Sequence, residues 1–273
     1  MSDKISLAGD LGSGKSTVSA ILVQRLGATY YSTGAIVREI AERRGMTVVE
    51  LNTYMETHPE IDHEIDDGIA RLSDDERMLI IDSRMAWHFT KGTFKIYLST
   101  DIETAALRIM MNNRRGEHAS TLEETIAETK RRRASEKKRY MEQYGVDIKD
   151  LSNYDFILDT TYATPEEVAD AIVAAYESWQ GDKSYKKARI SPDRLYYPDD
   201  AEEDTLVSSL AEAYEKGEVI PPVRVIEHDG DFYVVDGVAS ALAYALSFAP
   251  FVDCELVKGE LPETKFVKMS NSL

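Results

Sequence analysis

The chain has 273 residues, 43% hydrophobic and 30% charged, with a formal net charge of −17 at pH 7. This is the balance of a globular protein, and it argues against a general nucleic-acid binder, which carries a basic footprint. A single cysteine, Cys254, excludes an internal disulfide and a cysteine-rich zinc site. No apolar run has the length of a membrane span, and Met-Ser-Asp-Lys at the start lacks the apolar core of a signal peptide, so a cytoplasmic protein with no membrane partner is expected.

The predicted elements begin with a short apolar strand over residues 4–8. It runs into Gly9-Asp10-Leu11-Gly12-Ser13-Gly14-Lys15-Ser16-Thr17, which fits the phosphate-loop pattern G-x-x-x-x-G-K-[ST]. Residues 18–26 then carry Val18, Ile21, Leu22 and Leu26 at helical spacing. A glycine-rich turn between strand and helix points backbone N–H groups at an anion, and the helix dipole adds to the attraction. ATP is therefore expected on Gly12, Ser13, Gly14, Lys15, Ser16 and Thr17. Lys15 reaches the β- and γ-phosphates, and Ser16 offers its hydroxyl to Mg²⁺.

Further strands are predicted at 28–31, 78–82, 94–98 and 156–158. Helices are predicted at 35–43, 48–57, 60–72, 102–111 and 122–144. Thr164, Pro165 and Glu167 form a capping box with proline at the first helical position, opening a helix with an apolar stripe from Val168 to Trp179. Alternating strands and helices define an α/β domain over 1–180. The polar stretch 181–188 reads as a linker, and 189–273 as a small α+β accessory domain. That second domain shows short strands at 190 and 195–197 and a helix over 201–215. Strands 223–226 and 232–235 flank the hairpin turn His228-Asp229-Gly230-Asp231, and a helix over 238–248 and a strand over 252–257 follow. From Ala188 onward there are 7 Lys and Arg against 17 Asp and Glu, which argues against DNA as the partner of the second unit. The sequence names no protein partner for it.

Phosphoryl transfer needs positioned positive charge and exclusion of water. Four arginine positions qualify: Arg38; Arg84, just past the strand ending at Asp82; Arg114 and Arg115, in a loop between helices; and Arg131, Arg132, Arg133 and Arg139 on the long charged helix. Asp82 ends a hydrophobic strand as a Walker B aspartate does, and is a second candidate for Mg²⁺.

The order of these signals resembles the cytidylate kinase family, especially its archaeal-type branch and bacterial relatives. The matching stretches are Gly9 to Thr17, Ser32-Thr33-Gly34-Ala35-Ile36-Val37-Arg38, His58-Pro59-Glu60-Ile61-Asp62, Asp82-Ser83-Arg84, Ser135-Glu136 with Arg139-Tyr140, Tyr144-Gly145-Val146-Asp147 and Asn153-Tyr154-Asp155. The resemblance implies a P-loop nucleoside monophosphate kinase: a parallel sheet flanked by helices with an arginine-rich helical lid. It implies that Ser32, Arg38 and Arg84 hold the acceptor monophosphate. Lys15, Arg84, Arg115 (or Arg114) and Arg132 (or Arg133) would act on the transferring phosphoryl group. Departures from the family pattern are Ser83 in place of glycine, the aromatic run Met85-Ala86-Trp87-His88-Phe89, and Asp159 where asparagine is common. Trp87 reads equally as a base-stacking or a core residue. The second unit, about 188–262, resembles a degenerate ParB/sulfiredoxin-type domain through Ile190-Ser191-Pro192-Asp193-Arg194-Leu195 and Phe232-Tyr233-Val234-Val235-Asp236-Gly237. The histidine and arginine that usually follow are replaced by Val238-Ala239-Ser240. The resulting expectation is ATP-dependent phosphorylation of a nucleoside monophosphate, with CMP or dCMP favoured. A kinase for another small metabolite and a nucleotide-binding regulator with little turnover are the alternatives.

Overall fold

A computed structural model describes residues 4–112, 121–199 and 205–269. The chain divides into two units. The first is Met1–Asp155 with Thr164–Tyr185; the second is Phe156–Ala163 with Lys186–Leu273.

In the first unit, β1 (Lys4–Gly9) is buried along its whole length: Ile5, Leu7 and Ala8 enter the core, and the polar Lys4 and Ser6 are buried with them. It pairs in parallel with β3 (Leu79–Asp82) on one side and β4 (Thr93–Ser99) on the other, and β2 (Thr29–Ser32) pairs in parallel with β3. The sheet order is therefore β4-β1-β3-β2, with the phosphate loop leaving the carboxyl end of a central strand. Ligands of open parallel sheets bind at that edge. α1 (Lys15–Leu26) starts directly from the loop and ends at Gly27, which is in the left-handed region. α2 (Thr33–Arg44) is capped by the Ser32 hydroxyl, which accepts from the Ala35 N–H. α3 (Val48–Met55) carries a Thr47–Glu50 capping box. α4 (Glu60–Arg71) turns Ile61, Ile65 and Ile69 into a core shared with Leu51, Met55, Leu79 and Ile81. α5 (Ala86–Phe89) is one turn long; α6 (Ile102–Asn112) follows β4. α7 (Leu122–Tyr144) opens on a Thr121–Glu124 capping box and stops at Gly145.

The predicted box at Thr164 also forms and starts α8 (Pro165–Gly181), whose Val168, Ile172, Ala175, Tyr176 and Trp179 are buried. No helix among the described residues is long and apolar enough to cross a membrane.

In the second unit, β5 (Phe156–Asp159) pairs in parallel with β6 (Lys187–Ile190), which begins inside the stretch read as a linker. The remaining elements are β7 (Leu195–Pro198), α9 (Thr205–Glu215), β8 (Val223–His228), β9 (Asp231–Asp236), α10 (Val238–Leu246), β10 (Val252–Leu256) and β11 (Phe266–Lys268). The strand order is β11-β7-β9-β8-β10-β6-β5. The Asp-Gly hairpin forms as expected: Asp229 and Gly230 both take positive φ, 51° and 92°, as a two-residue turn between twisted strands requires. β11 was not predicted, because three residues are too short to show a period.

Asp159 and Arg194 account for the departure from asparagine at 159. Asp159 is wholly buried and Arg194 is 2% exposed. Arg194 Nη1 donates to Asp159 Oδ1 at 3.0 Å and to Thr161 Oγ1 at 2.8 Å, while Nη2 donates to the Gly230 carbonyl. A neutral asparagine would leave this guanidinium without its counter-charge.

Candidate active site

The phosphate loop is shaped by close backbone approach. A Cβ on Gly12 would come within 2.6 Å of the Ala105 carbonyl oxygen, so only glycine lets the loop lie against α6. Gly14 takes φ 82° and directs the chain into α1. Lys15 folds back over the loop, donating from Nζ to the carbonyls of Gly9 (3.1 Å) and Asp10 (2.8 Å). Burial, followed by the nearby Arg84 charge, lowers its pKa to about 8, against the opposing pull of Asp82, Asp10 and Glu136. Ser16 and Thr17 are exposed on the first turn of α1.

Asp82 closes β3 opposite Ser32 of β2. Its Oδ2 accepts a 2.9 Å bond from the Tyr30 hydroxyl, and its carbonyl accepts from Thr33 Oγ1. Burial and the Asp82 charge together push the Tyr30 phenol up to about 12, so Tyr30 remains a donor to that carboxylate at neutral pH. Arg38 is exposed on α2. A Cβ on Gly34 would lie 3.6 Å from Arg38 Nη1 and 3.7 Å from Ser32 Oγ, which places both side chains beside this helical turn.

Arg84 turns toward the loop. Its Nε donates to Glu136 Oε2 at 2.5 Å and its Nη1 to the Gly9 carbonyl at 3.2 Å. Arg132 donates to the other oxygen, Oε1, of the same carboxylate at 3.1 Å. Burial alone would raise the Glu136 carboxyl; Arg84 and Arg132 more than offset that and hold it at about 2. Arg133 Nη2 donates to the Leu11 carbonyl at 3.4 Å. Arg84 and Arg133 therefore reach the loop that carries Lys15, and Arg132 joins them through the shared Glu136 carboxylate. Glu136, which gathers two of them, carries no signal in the sequence beyond its place beside Ser135 in a family stretch. Arg114 and Arg115 lie outside the described residues.

Trp87 resolves to the core reading: it is 8% exposed, packs on Tyr154 and donates its indole N–H to the Arg84 carbonyl at 2.9 Å. It thereby supports the backbone that carries Arg84 and is not placed to stack on a base. Arg139 is also internal. It bonds the Asn52 carbonyl and lies 3.3 Å from Asp62, tying α7 to α3 and α4.

That α4–α7 contact yields a pH prediction. Asp66 accepts from the Tyr144 hydroxyl, which also meets His63, and Asp62 and Asp67 stand nearby with Arg139. Burial raises the Asp66 carboxyl from 3.8 to about 7. Between those values the folded protein holds a proton that the unfolded chain has released, so this group's contribution is complete below pH ~4 and is lost as pH rises to ~7. Asp66→Asn keeps the Tyr144 bond and removes the titration. Its stability relative to the parent should grow between pH 5 and 8 by on the order of 2 kcal/mol, read by urea unfolding at both pH values. A constant difference refutes the assignment.

A glycine-rich loop between a central parallel strand and a helix, with a lysine over it, an aspartate ending the neighbouring strand and arginines beside it, defines a protein of the P-loop α/β class. Comparison with known proteins narrows this. A family model described as the cytidylate kinase-like family matches residues 4–162, and the chain belongs to that family. A cytidylate kinase of Thermoplasma volcanium is 38% identical over 170 residues, covering 61% of this chain and 87% of the relative. A cytidylate kinase of Halorubrum lacusprofundi is 37% identical over 188 residues, covering 68% and 95%. Among solved structures, a shikimate kinase of Bacteroides thetaiotaomicron aligns at 14% identity with a TM-score of 0.44, covering 64% of this chain and 98% of that one.

Proposed function

We propose that this protein is a cytoplasmic ATP-dependent phosphotransferase that converts a nucleoside monophosphate, CMP or dCMP by preference, to the diphosphate. The observation that carries the reading is that Lys15, Arg84 and Arg133 meet on one phosphate loop, with Arg132 held to the same cluster through Glu136. A transferring phosphoryl group spreads negative charge over its oxygens, and positioned cations are the main catalytic aid it needs. Lys15 would leave the Gly9 and Asp10 carbonyls for the β- and γ-phosphates. Arg84 is poised between the loop and Glu136, and would bridge donor and acceptor. Ser32 and Arg38, together at the start of α2, would hold the acceptor phosphate. The acceptor oxygen is already ionised at neutral pH, so no general base is required.

Among the described residues no group of three or more His, Cys, Asp or Glu side chains is arranged to hold a metal alone. Ser16 and Asp82 form a sparse, all-oxygen donor set, which suits Mg²⁺, an ion that keeps waters and takes substrate phosphate oxygens. Bound there, the ion would supply charge neutralisation for the phosphates.

The test is a panel of monophosphate acceptors with ATP, with ADP release followed. CMP or dCMP should give the highest kcat/KM. ADP release that no acceptor raises above that of ATP alone refutes the reading. Residue roles separate in the same assay. Arg38→Ala should raise KM for the monophosphate about tenfold or more while KM for ATP stays within about twofold, since a charge-assisted contact contributes ~1.5–3 kcal/mol. Equal changes in both constants would remove Arg38 from the acceptor site.

A further inference from the structure

The second residue of the phosphate loop is an acid. A carboxylate there opposes the anion the loop is built to receive, so its charge must be answered locally. Asp10 is 6% exposed and held on every side. Oδ1 accepts from the Tyr97 hydroxyl at 2.9 Å and from Lys149 Nζ; Oδ2 accepts from the Thr100 N–H at 3.1 Å. Arg133 Nη2 is 3.8 Å away. The Asp10 backbone is equally fixed: its N–H donates to the Leu98 carbonyl, and its carbonyl accepts from Lys15 Nζ and Ser13 Oγ. Whatever moves or charges Asp10 therefore acts on the loop and on Lys15.

Lys149 lies in the short segment after α7. Its Nζ also donates to the Tyr97 hydroxyl at 2.6 Å and sits 5.3 Å from that ring's centroid, with the side chain 36% exposed. Gly9, Asp10, Arg84, Tyr97, Arg133 and Lys149 line one pocket beside the loop. Arg133 bonds the loop carbonyl of Leu11 and lies farther from Asp10, which leaves Lys149 as the direct counter-ion.

We propose that Lys149 is a positioning residue of the phosphate loop: by neutralising Asp10 it removes a negative charge that would otherwise repel a bound nucleoside triphosphate. The inference rests on the reading of this loop as the ATP site. Lys149 acts through Asp10 and need not touch the nucleotide. Burial alone would raise the Asp10 carboxyl; Lys149, then Arg133, instead hold it at about 2, so Asp10 carries its charge at neutral pH.

The test is a charge cycle on the full chain, read by calorimetric titration with ATP and, separately, with CMP. Lys149→Met should weaken ATP binding about tenfold and leave CMP binding unchanged. Asp10→Asn combined with Lys149→Met should restore ATP affinity to within about threefold of the parent. In that pair the amide accepts from the Thr100 N–H and donates to the Tyr97 oxygen. Thermal melts establish that both variants fold, and the double variant still reports if the single one is unstable. Unchanged ATP affinity in Lys149→Met overturns the proposal, as does a double variant no better than the single one, which would make the role structural rather than electrostatic. A parent that binds ATP without transferring phosphate refutes the kinase reading but leaves this inference standing.

Discussion

Lys15→Ala is expected to lower kcat by at least about 10²-fold, the usual cost of removing a preorganised charge from developing anionic oxygens. The fold should be retained, because the Gly12 approach to Ala105 and the bonds from Tyr97, Thr100 and Lys149 to the Asp10 carboxylate remain when the Lys15 bonds to the loop carbonyls are lost. The same lysine sets a pH limit. Its pKa of about 8 in the free protein, lowered by burial and Arg84, means that it loses its charge as pH rises through that value. kcat/KM for ATP should therefore fall above pH ~8, while kcat at saturating ATP holds to higher pH, because bound phosphates favour the charged lysine. Lys15→Arg should move the fall upward, since a guanidinium does not titrate in this range. Turnover by Lys15→Ala close to that of the parent would exclude the loop as the donor site.

Much of this site is legible in the sequence because it is local. The loop spacing, the strand before it, the capping box at Thr164 and the Asp229-Gly230 turn are each fixed by a few neighbouring residues, and each forms. What escaped depends on partners far apart in the chain. Lys149 and Asp10 are 139 residues apart, and Arg84 and Glu136 are 52. Nothing near Lys149 distinguishes it from a solvated lysine. Glu136, on a helix crowded with charge, looks like any exposed acid until Arg84 arrives from β3. Trp87 is a case of local ambiguity: its sequence allowed a platform or a core residue, and the Arg84 carbonyl and Tyr154 decided for the core.

The buried pair in the second unit should give the largest stability effect. Arg194→Met deletes the charge opposite Asp159 while keeping an apolar stem of similar length. An isolated carboxylate at 0% exposure is then left behind, and breaking a buried pair from one side typically costs ~3–5 kcal/mol. Burial outweighs Arg194 in setting the Asp159 carboxyl, which stays raised even with the guanidinium, Thr161 and Ser191 around it. Removing both charges should hurt less than removing one, because the double variant leaves no unpaired buried charge. Asp159→Asn with Arg194→Met should recover at least half of the loss, since the amide oxygen still accepts from Thr161 Oγ1 or the Ser191 N–H. Urea unfolding of the full chain with far-UV circular dichroism measures all three proteins. Arg194→Met within about 0.5 kcal/mol of the parent would show that solvent reaches Asp159 once the guanidinium is gone. A double variant weaker than the single one would assign the stabilisation to the Arg194 contacts with Gly230 and Thr161 rather than to charge.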